Sequence, residues 1–348
     1  MSKRKIWTRR GCRIVLFVLT AVFMLYCLDR ILLVKRTDGI LTMTNYYAQD
    51  PGTVDVLILG SSHAGMNLDT GVLWEEEGIA SYILWGSMQP FWNTYYFLQE
   101  ALKTQTPDAV VLDVFAATFP FEYSDDARQV TNTAGMKPSL TKLKAIRQSA
   151  PYSRWIDLAL GLPLYHDRYS EVTAEDFRYF FWSRKQVEKK GCGRRFGTGK
   201  VTLEPVTGEE EAAPLLEKEK HFLLEIIGLC QERGIPLILI NTPTAHRAAE
   251  QPYYQAVRQI AADLTVPYYN LNEMDDVTGI TELDYWTDSE HLNSEGAAKV
   301  SRWLAGVLAA DGLTEDHRGD PAYASWDDNV RYLEADYAAE KAAAISGG

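Results

Sequence analysis

The chain of 348 residues is poor in cysteine: Cys12 and Cys27 belong to an N-terminal apolar segment and its flank, which leaves only Cys192 and Cys230. Two thiols build no disulfide framework, and they lack the paired spacing of a zinc site. Cys230 sits in the helical pattern HFLLEIIGLCQERG and reads as a small buried hydrophobe. Histidine is scarce too, six residues with no close ligand spacing to cysteine or to one another, so no metal and no other cofactor is expected. The chain also lacks a positive charge balance. Its net charge of −12 excludes a general nucleic-acid binder, because phosphate contact needs a dominant basic face. Internal repeats are absent as well, and an apolar content of 46% argues for a folded core.

The basic residues gather at the start. Lys3, Arg4, Lys5, Arg9, Arg10 and Arg13 precede the apolar run IVLFVLTAVFMLYCLDRILLV, Ile14 to Val34. Its 21 residues reach roughly 31 Å as a helix, about the hydrocarbon thickness of a bilayer. Asp29 and Arg30 interrupt the run near its outer end, placed to snorkel or to pair. A retained single-pass anchor is the preferred reading: no small-x-small cleavage site follows, and Tyr26 before Cys27 spoils a lipoprotein-type processing site. The charged interruption keeps a cleaved signal peptide as the alternative. The basic cluster places the N-terminus in the cytoplasm and Lys35 onward outside, with the lipid bilayer as a partner.

Four segments follow from composition: a basic tail with its anchor (1–36), a polar connector (37–53), a main domain (54–312) and a polar tail (313–348) with a helix in SWDDNVRYLEADYAAEKAAA. In the main domain, apolar runs begin at Val54, Ala80, Asp108, Ile235 and Val266, each nearly continuous, as strands covered on both faces should be. Helical patterns alternate with them, from Phe91, from Ala213 to Gly234, from Tyr253 and from Asn293, with Asn293 or Ser294 as cap and Gly312 as stop. The alternation predicts an α/β fold: a three-layer α/β/α sandwich, flavodoxin-like, around a mostly parallel five-stranded sheet whose ligands bind at the strands' carboxyl ends. Roughly a hundred residues after the third run, about 116–212, are too many for a loop and form an insertion. Its many aromatic residues read first as the core of a helical subdomain and second as a ring-lined groove; leaving from a carboxyl end, it can cover the site as a lid. Arg318, Gly319 and Asp320 read as a turn.

Two constellations carry chemistry. Gly60, Ser61, Ser62 and His63 follow the first strand and open a helix, where a serine stands at a helix N-terminus as nucleophile or simply as cap. In YWTDSEHLNSEG, Asp288 and His291 precede the last helix, on the same rim of the predicted sheet. His291 is then placed as general base toward Ser62, with Asp288 orienting the imidazole. His63 reads as a pocket wall, joined by Asn241 and Trp92. His246 lacks an orienting carboxylate, and His166 falls among the insertion's rings as a packing residue.

The GSSH and DSEH blocks resemble the SGNH (GDSL-like) hydrolase superfamily over about Val54 to Ala310, outside the insertion. The likeness is greatest to membrane-anchored branches acting on acyl groups of envelope polymers, including D-alanyl teichoic-acid transfer proteins. It implies an acyl-enzyme on Ser62, an oxyanion hole from the Ser62 and Gly86 backbone N–H groups, an acylated envelope glycopolymer or glycan as substrate, and a membrane-bound acyltransferase as a potential partner. The asparagine that the family carries after the third strand is absent. Asp113 stands there instead and reads as structural, because an ionised carboxylate cannot donate; Gln89 and Asn93 are the substitute donors. This incomplete set keeps a second reading open, a binding or assembly module of the envelope without turnover.

Overall fold

The structure is a computed structural model that describes residues 3–35, 37–182 and 189–346. Helix α1 (Lys3–Leu32) is followed by α2 (Thr42–Tyr46), β1 (Val56–Gly60), α3 (Ser62–Asn67), α4 (Thr70–Glu77), β2 (Ser81–Trp85), α5 (Phe91–Ala101) and β3 (Ala109–Asp113). The insertion contributes α6 (Asp126–Ala134), α7 (Leu140–Ser149), α8 (Trp155–Leu160), α9 (Leu162–Tyr165) and α10 (Ala174–Trp182). Then come α11 (Glu217–Arg233), β4 (Leu237–Asn241), α12 (Arg247–Asp263), β5 (Tyr268–Asn270), α13 (Asp275–Thr278), α14 (Ser294–Ala310) and α15 (Ala324–Ser346).

The five aliphatic runs form one sheet in the order β2-β1-β3-β4-β5, and every pairing is parallel. Because successive side chains alternate in direction, Leu57, Leu59, Val110, Leu112 and Leu239 pack with α5, α11 and α12 on one face. Val56, Ile58, Ile83, Val111 and Ile240 pack with α3, α4 and α14 on the other. Sequence order reverses between β1 and β3, so a crevice opens at their carboxyl ends. Asn293 caps α14 by accepting from the Glu295 and Gly296 N–H groups, and Gly312 follows its last turn. Arg318 and Gly319 form a turn in which Arg318 pairs with Asp316.

Three peripheral expectations change. The connector is part of the domain: Ile40, Met43 and Tyr46 are fully buried, Tyr46 packs edge-on against Tyr82, and Thr42 donates to Trp85 O at 2.7 Å. The tail is likewise built in, with Trp326 and Leu333 of α15 buried. Among the described residues the insertion's last helix is α10, and from Lys189 to Leu216 the chain is an extended strap around the domain. Its backbone meets Ile83 at Lys190, Gly65 at Gly193, Ser294 at Arg195, Tyr285 at Gly199 and Pro252 at Ala213. Glycine permits this closeness: at Gly191, φ +83°, a Cβ would lie 1.8 Å from Ile83 O.

The insertion's rings do not make one private core. Ile146, Ala150 and Leu158 cluster by themselves, while Ala134 and Tyr165 pack with Leu32, Leu33 and Ile40 at the outer end of α1. Arg30 turns into that contact and donates to Ala134 O at 3.3 Å. Within α1, Arg10–Leu32 is long and apolar enough to cross a membrane, properties that a signal sequence shares.

Helix α3 is positioned by Gly65, where a Cβ would stand 2.1 Å from the Trp85 ring. Gly65→Ala is expected to cost about 1–3 kcal/mol by overpacking, read as a fall in Tm. Gly228→Ala, in α11 with nothing within 4 Å of the new methyl, should gain up to about 1 kcal/mol from helix propensity and serves as the control.

Candidate active site

β1 ends at Gly60, and the chain turns at once into α3. The two serines divide the roles open to them. Ser61 is the N-cap, its side chain accepting from His63 N at 3.4 Å. Ser62, the first helical residue, directs its hydroxyl elsewhere: Ser62 Oγ lies 2.9 Å from His291 Nε2. His291 Nδ1 is 2.6 Å from Asp288 Oδ2, and Asp288 Oδ1 accepts from the Glu290 and His291 backbone N–H groups at 3.0 and 3.1 Å. With Asp288 ionised, the proton sits on Nδ1, and Nε2 is left to accept from the serine. Ser62 and His291 are 7% and 8% exposed, so their contact is shielded from competing water.

The segment carrying Asp288 and His291 is a tight loop. Tyr285 bridges Leu292, Trp286 N donates to His291 O at 2.8 Å, and Ser289 adopts φ +63°. Asn67, at the end of α3, locks the loop to the helix that bears Ser62: its Oδ1 accepts from Leu292 N at 2.8 Å. Its Nδ2 donates to Thr242 Oγ1 at 3.0 Å and Pro243 O at 3.3 Å. The Thr242 hydroxyl and N–H both donate to Asp113 Oδ2 at 3.0 Å, and Phe115 N donates to Oδ1 at 3.1 Å. A continuous polar path therefore runs from β3 through the β4 loop and α3 to the His291 loop.

Burial raises the Asp288 carboxyl, but hydrogen bonds from the His291 ring and from the His291 and Glu290 N–H groups outweigh it, and the net shift is downward. His63 is buried, stacks on Phe115 with ring centroids 3.6 Å apart, and stands 4.8 Å from the His291 ring. Burial, then the neighbouring His291, push its pKa well below the ordinary value, so it forms a neutral wall behind the base.

Other expected residues are spent elsewhere. Gln89 Nε2 donates one N–H to Thr94 Oγ1 at 3.0 Å, while Asn93 Nδ2 donates to Asn132 O and Ser149 Oγ at 3.0 and 2.9 Å, so the Asn93 amide is not a free oxyanion donor. Asn241 donates to Asn270 Oδ1 at 2.7 Å and accepts from Tyr268, which makes it a tie between β4 and β5 instead of a pocket residue. Trp92 is buried under Lys218, whose ammonium is 3.9 Å from the ring centroid, and lines no pocket at Ser62. For Asn93 and Asn241 a helix or strand interior closes over the amide, which then pairs locally. Gly86 lies one residue beyond the Gly60–Trp85 register pair. Above it sits Asn132 of α6, whose Oδ1 is 1.9 Å from where a Gly86 Cβ would stand. His246 is exposed at the start of α12; His166 is also exposed, bonding Pro163 O at 2.9 Å instead of packing among rings. Among the described residues, no three His, Cys, Asp or Glu side chains group as metal ligands.

Asn67 and Thr242 were missed in the sequence. Asn67 carried one usable sign, a polar residue one turn after His63 on the helix that bears Ser62. Asn67→Ala orphans the buried Leu292 N–H and should lower stability by about 1–3 kcal/mol, measured by denaturant unfolding. Asp113 tests the path from its other end. Burial raises its pKa, hydrogen bonds from Thr242 and Phe115 oppose, and the result is about 6. The unfolded aspartate titrates near 4, so the folded state holds the extra proton between these values. Stability from this group is thus lost as pH rises through that window, by about 3 kcal/mol in all. Asp113→Asn, which does not titrate, should gain that amount on the wild type between about pH 4 and pH 7, read from paired unfolding midpoints. Comparison of the chain with family models, curated proteins and solved structures finds no match.

Proposed function

We propose that this chain is a serine esterase or O-acyltransferase that passes an acyl group through Ser62. The observation that carries the reading is the unbroken contact from Ser62 Oγ through both His291 nitrogens to Asp288. Ser62 Oγ attacks the ester carbonyl carbon while His291 Nε2 takes the hydroxyl proton; the leaving oxygen departs with that proton, and the acyl group remains on Ser62. Water or a sugar hydroxyl then gives its proton to His291 and attacks the acyl carbon. Ser62 recovers the proton, and a free acid or a transferred ester leaves. Asp288 holds the imidazole tautomer and stabilises the imidazolium. The oxyanion donors are the Ser62 N–H, in the unpaired first turn of α3, and the Gly86 N–H.

The resemblance to SGNH hydrolases of the envelope supports an acylated glycopolymer or glycan as substrate, with a membrane acyltransferase as acyl source. α1 then serves as a single-pass anchor with its basic N-terminus in the cytoplasm. Packing of Leu32, Leu33 and Arg30 into the insertion favours retention, since a cleaved leader would take part of this contact with it.

A second reading, a binding or assembly module of the envelope, is favoured by the committed amide of Asn93. Loss of one oxyanion donor typically slows turnover by about 10²–10³, so slow chemistry is expected. A fluorophosphonate probe distinguishes the two: wild type should label, Ser62→Ala should not, and Asp288→Asn should label about 10⁴-fold more slowly. Equal, weak labelling of folded wild type and Ser62→Ala leaves the binding reading. The acyl content of envelope polymers, compared between cells with and without the protein, tests the substrate class.

A further inference from the structure

At the outer end of α1 the apolar run meets a built pocket. Between that end, the segment around α2 and the turn Gly135–Pro138 lies a groove of about 230 Å³. Tyr26, Ile40 and Phe180 supply apolar wall, and the charged residues that line it, Arg30, Lys35 and Lys137, are all cationic. Two of the cations are held in place. Arg30 donates to Ala134 O at 3.3 Å; Lys35 folds back on α1, donating to the Arg30, Ile31 and Leu33 carbonyls at 3.1, 3.1 and 2.6 Å. Asp176 is the acid beside Lys35, at 3.3 Å, and it also binds Arg168 at 3.0 Å, so one carboxylate faces two cations. Lys137 is exposed, its ammonium 4.2 Å from the Tyr47 ring centroid. Burial lowers Lys35 to about 8, with Asp176 opposing; Asp29 is a second carboxylate in electrostatic reach of Arg30 and Lys35, but it does not line the groove.

We propose that this groove binds the phosphate of an anionic lipid, with the headgroup against Arg30, Lys35 and Lys137 and the chains running along α1 past Tyr26. The volume fits this division: pockets that enclose a whole drug-sized ligand run to roughly 300–1,000 Å³, so this one takes a headgroup and leaves the chains outside. A free phosphate would use the cations but not the Tyr26 and Phe180 wall, whereas a lipid uses both. The site depends on α1 lying in a bilayer and is independent of the chemistry at Ser62.

Full-length protein in neutral detergent is titrated with dioctanoyl phosphatidylglycerol, dioctanoyl phosphatidylcholine and inorganic phosphate, followed by thermophoresis. Phosphatidylglycerol should bind about tenfold more tightly than phosphatidylcholine, and Lys137→Ala should weaken it about fivefold, the effect of one cation at a charged lipid surface. Lys137→Glu should weaken it further, with fluorophosphonate labelling unchanged in both variants. Equal binding of the two lipids, or wild-type affinity in both Lys137 variants, overturns the site. Inorganic phosphate binding as tightly as phosphatidylglycerol removes the lipid as occupant.

Discussion

A parallel sheet forces every strand to end on the same edge. Four crossovers join the five strands in sequence, so Gly60, Trp85, Asp113, Asn241 and Asn270 finish side by side. Backbone groups beyond that edge lose their ladder partners, and the residues there must supply hydrogen bonds of their own. The rim is accordingly polar although it is buried, and Ser62, Asn67, Asp113, Thr242 and His291 all belong to it.

That polar rim is held together by exchange of partners between segments far apart in the chain. Asn67 joins α3 to the β4 loop and to the His291 loop, and Asp113 anchors Thr242 from β3. Each of these contacts is worth little net, but an unpaired member in so dry a place is costly. The arrangement therefore favours one geometry over nearby alternatives, and the Ser62–His291 contact inherits its precision from bonds made by neither residue. His63 adds to this by stacking on Phe115 across the β1–β3 crevice as a neutral ring.

The outer segments obey the same demand. Lys190 of the strap is buried, donates to Gln49 Oε1 and Ser325 Oγ at 2.8 Å each, and lies over Trp326 at 3.6 Å. One cation thus ties together the connector, the insertion and the tail, and burial lowers it to about 7, with Asp50 and Asp328 opposing. The connector and the tail read as polar periphery because each contributes only a few apolar residues, too few to form a core alone. Docked against the edge strand β2 and against α4, Tyr46, Trp326 and Leu333 become buried.

The local pattern determined the strands, the helices between them and the long apolar start, and with the predicted topology and the family resemblance it paired Ser62 with Asp288 and His291 as candidates. Continuous aliphatic runs and a three-residue Asp-to-His spacing are properties of short segments, legible without knowing what lies opposite. Tertiary structure decided what no segment contains. It gave Ser61 the cap and Ser62 the histidine contact, and it spent the amides of Asn93 and Asn241 on local ties. It brought Asn67 and Asn132 to the rim and folded the connector, strap and tail into the domain. Hydrogen-bond partners of buried polar groups are chosen by packing between distant parts of the chain, and residue type says only that a partner must be found.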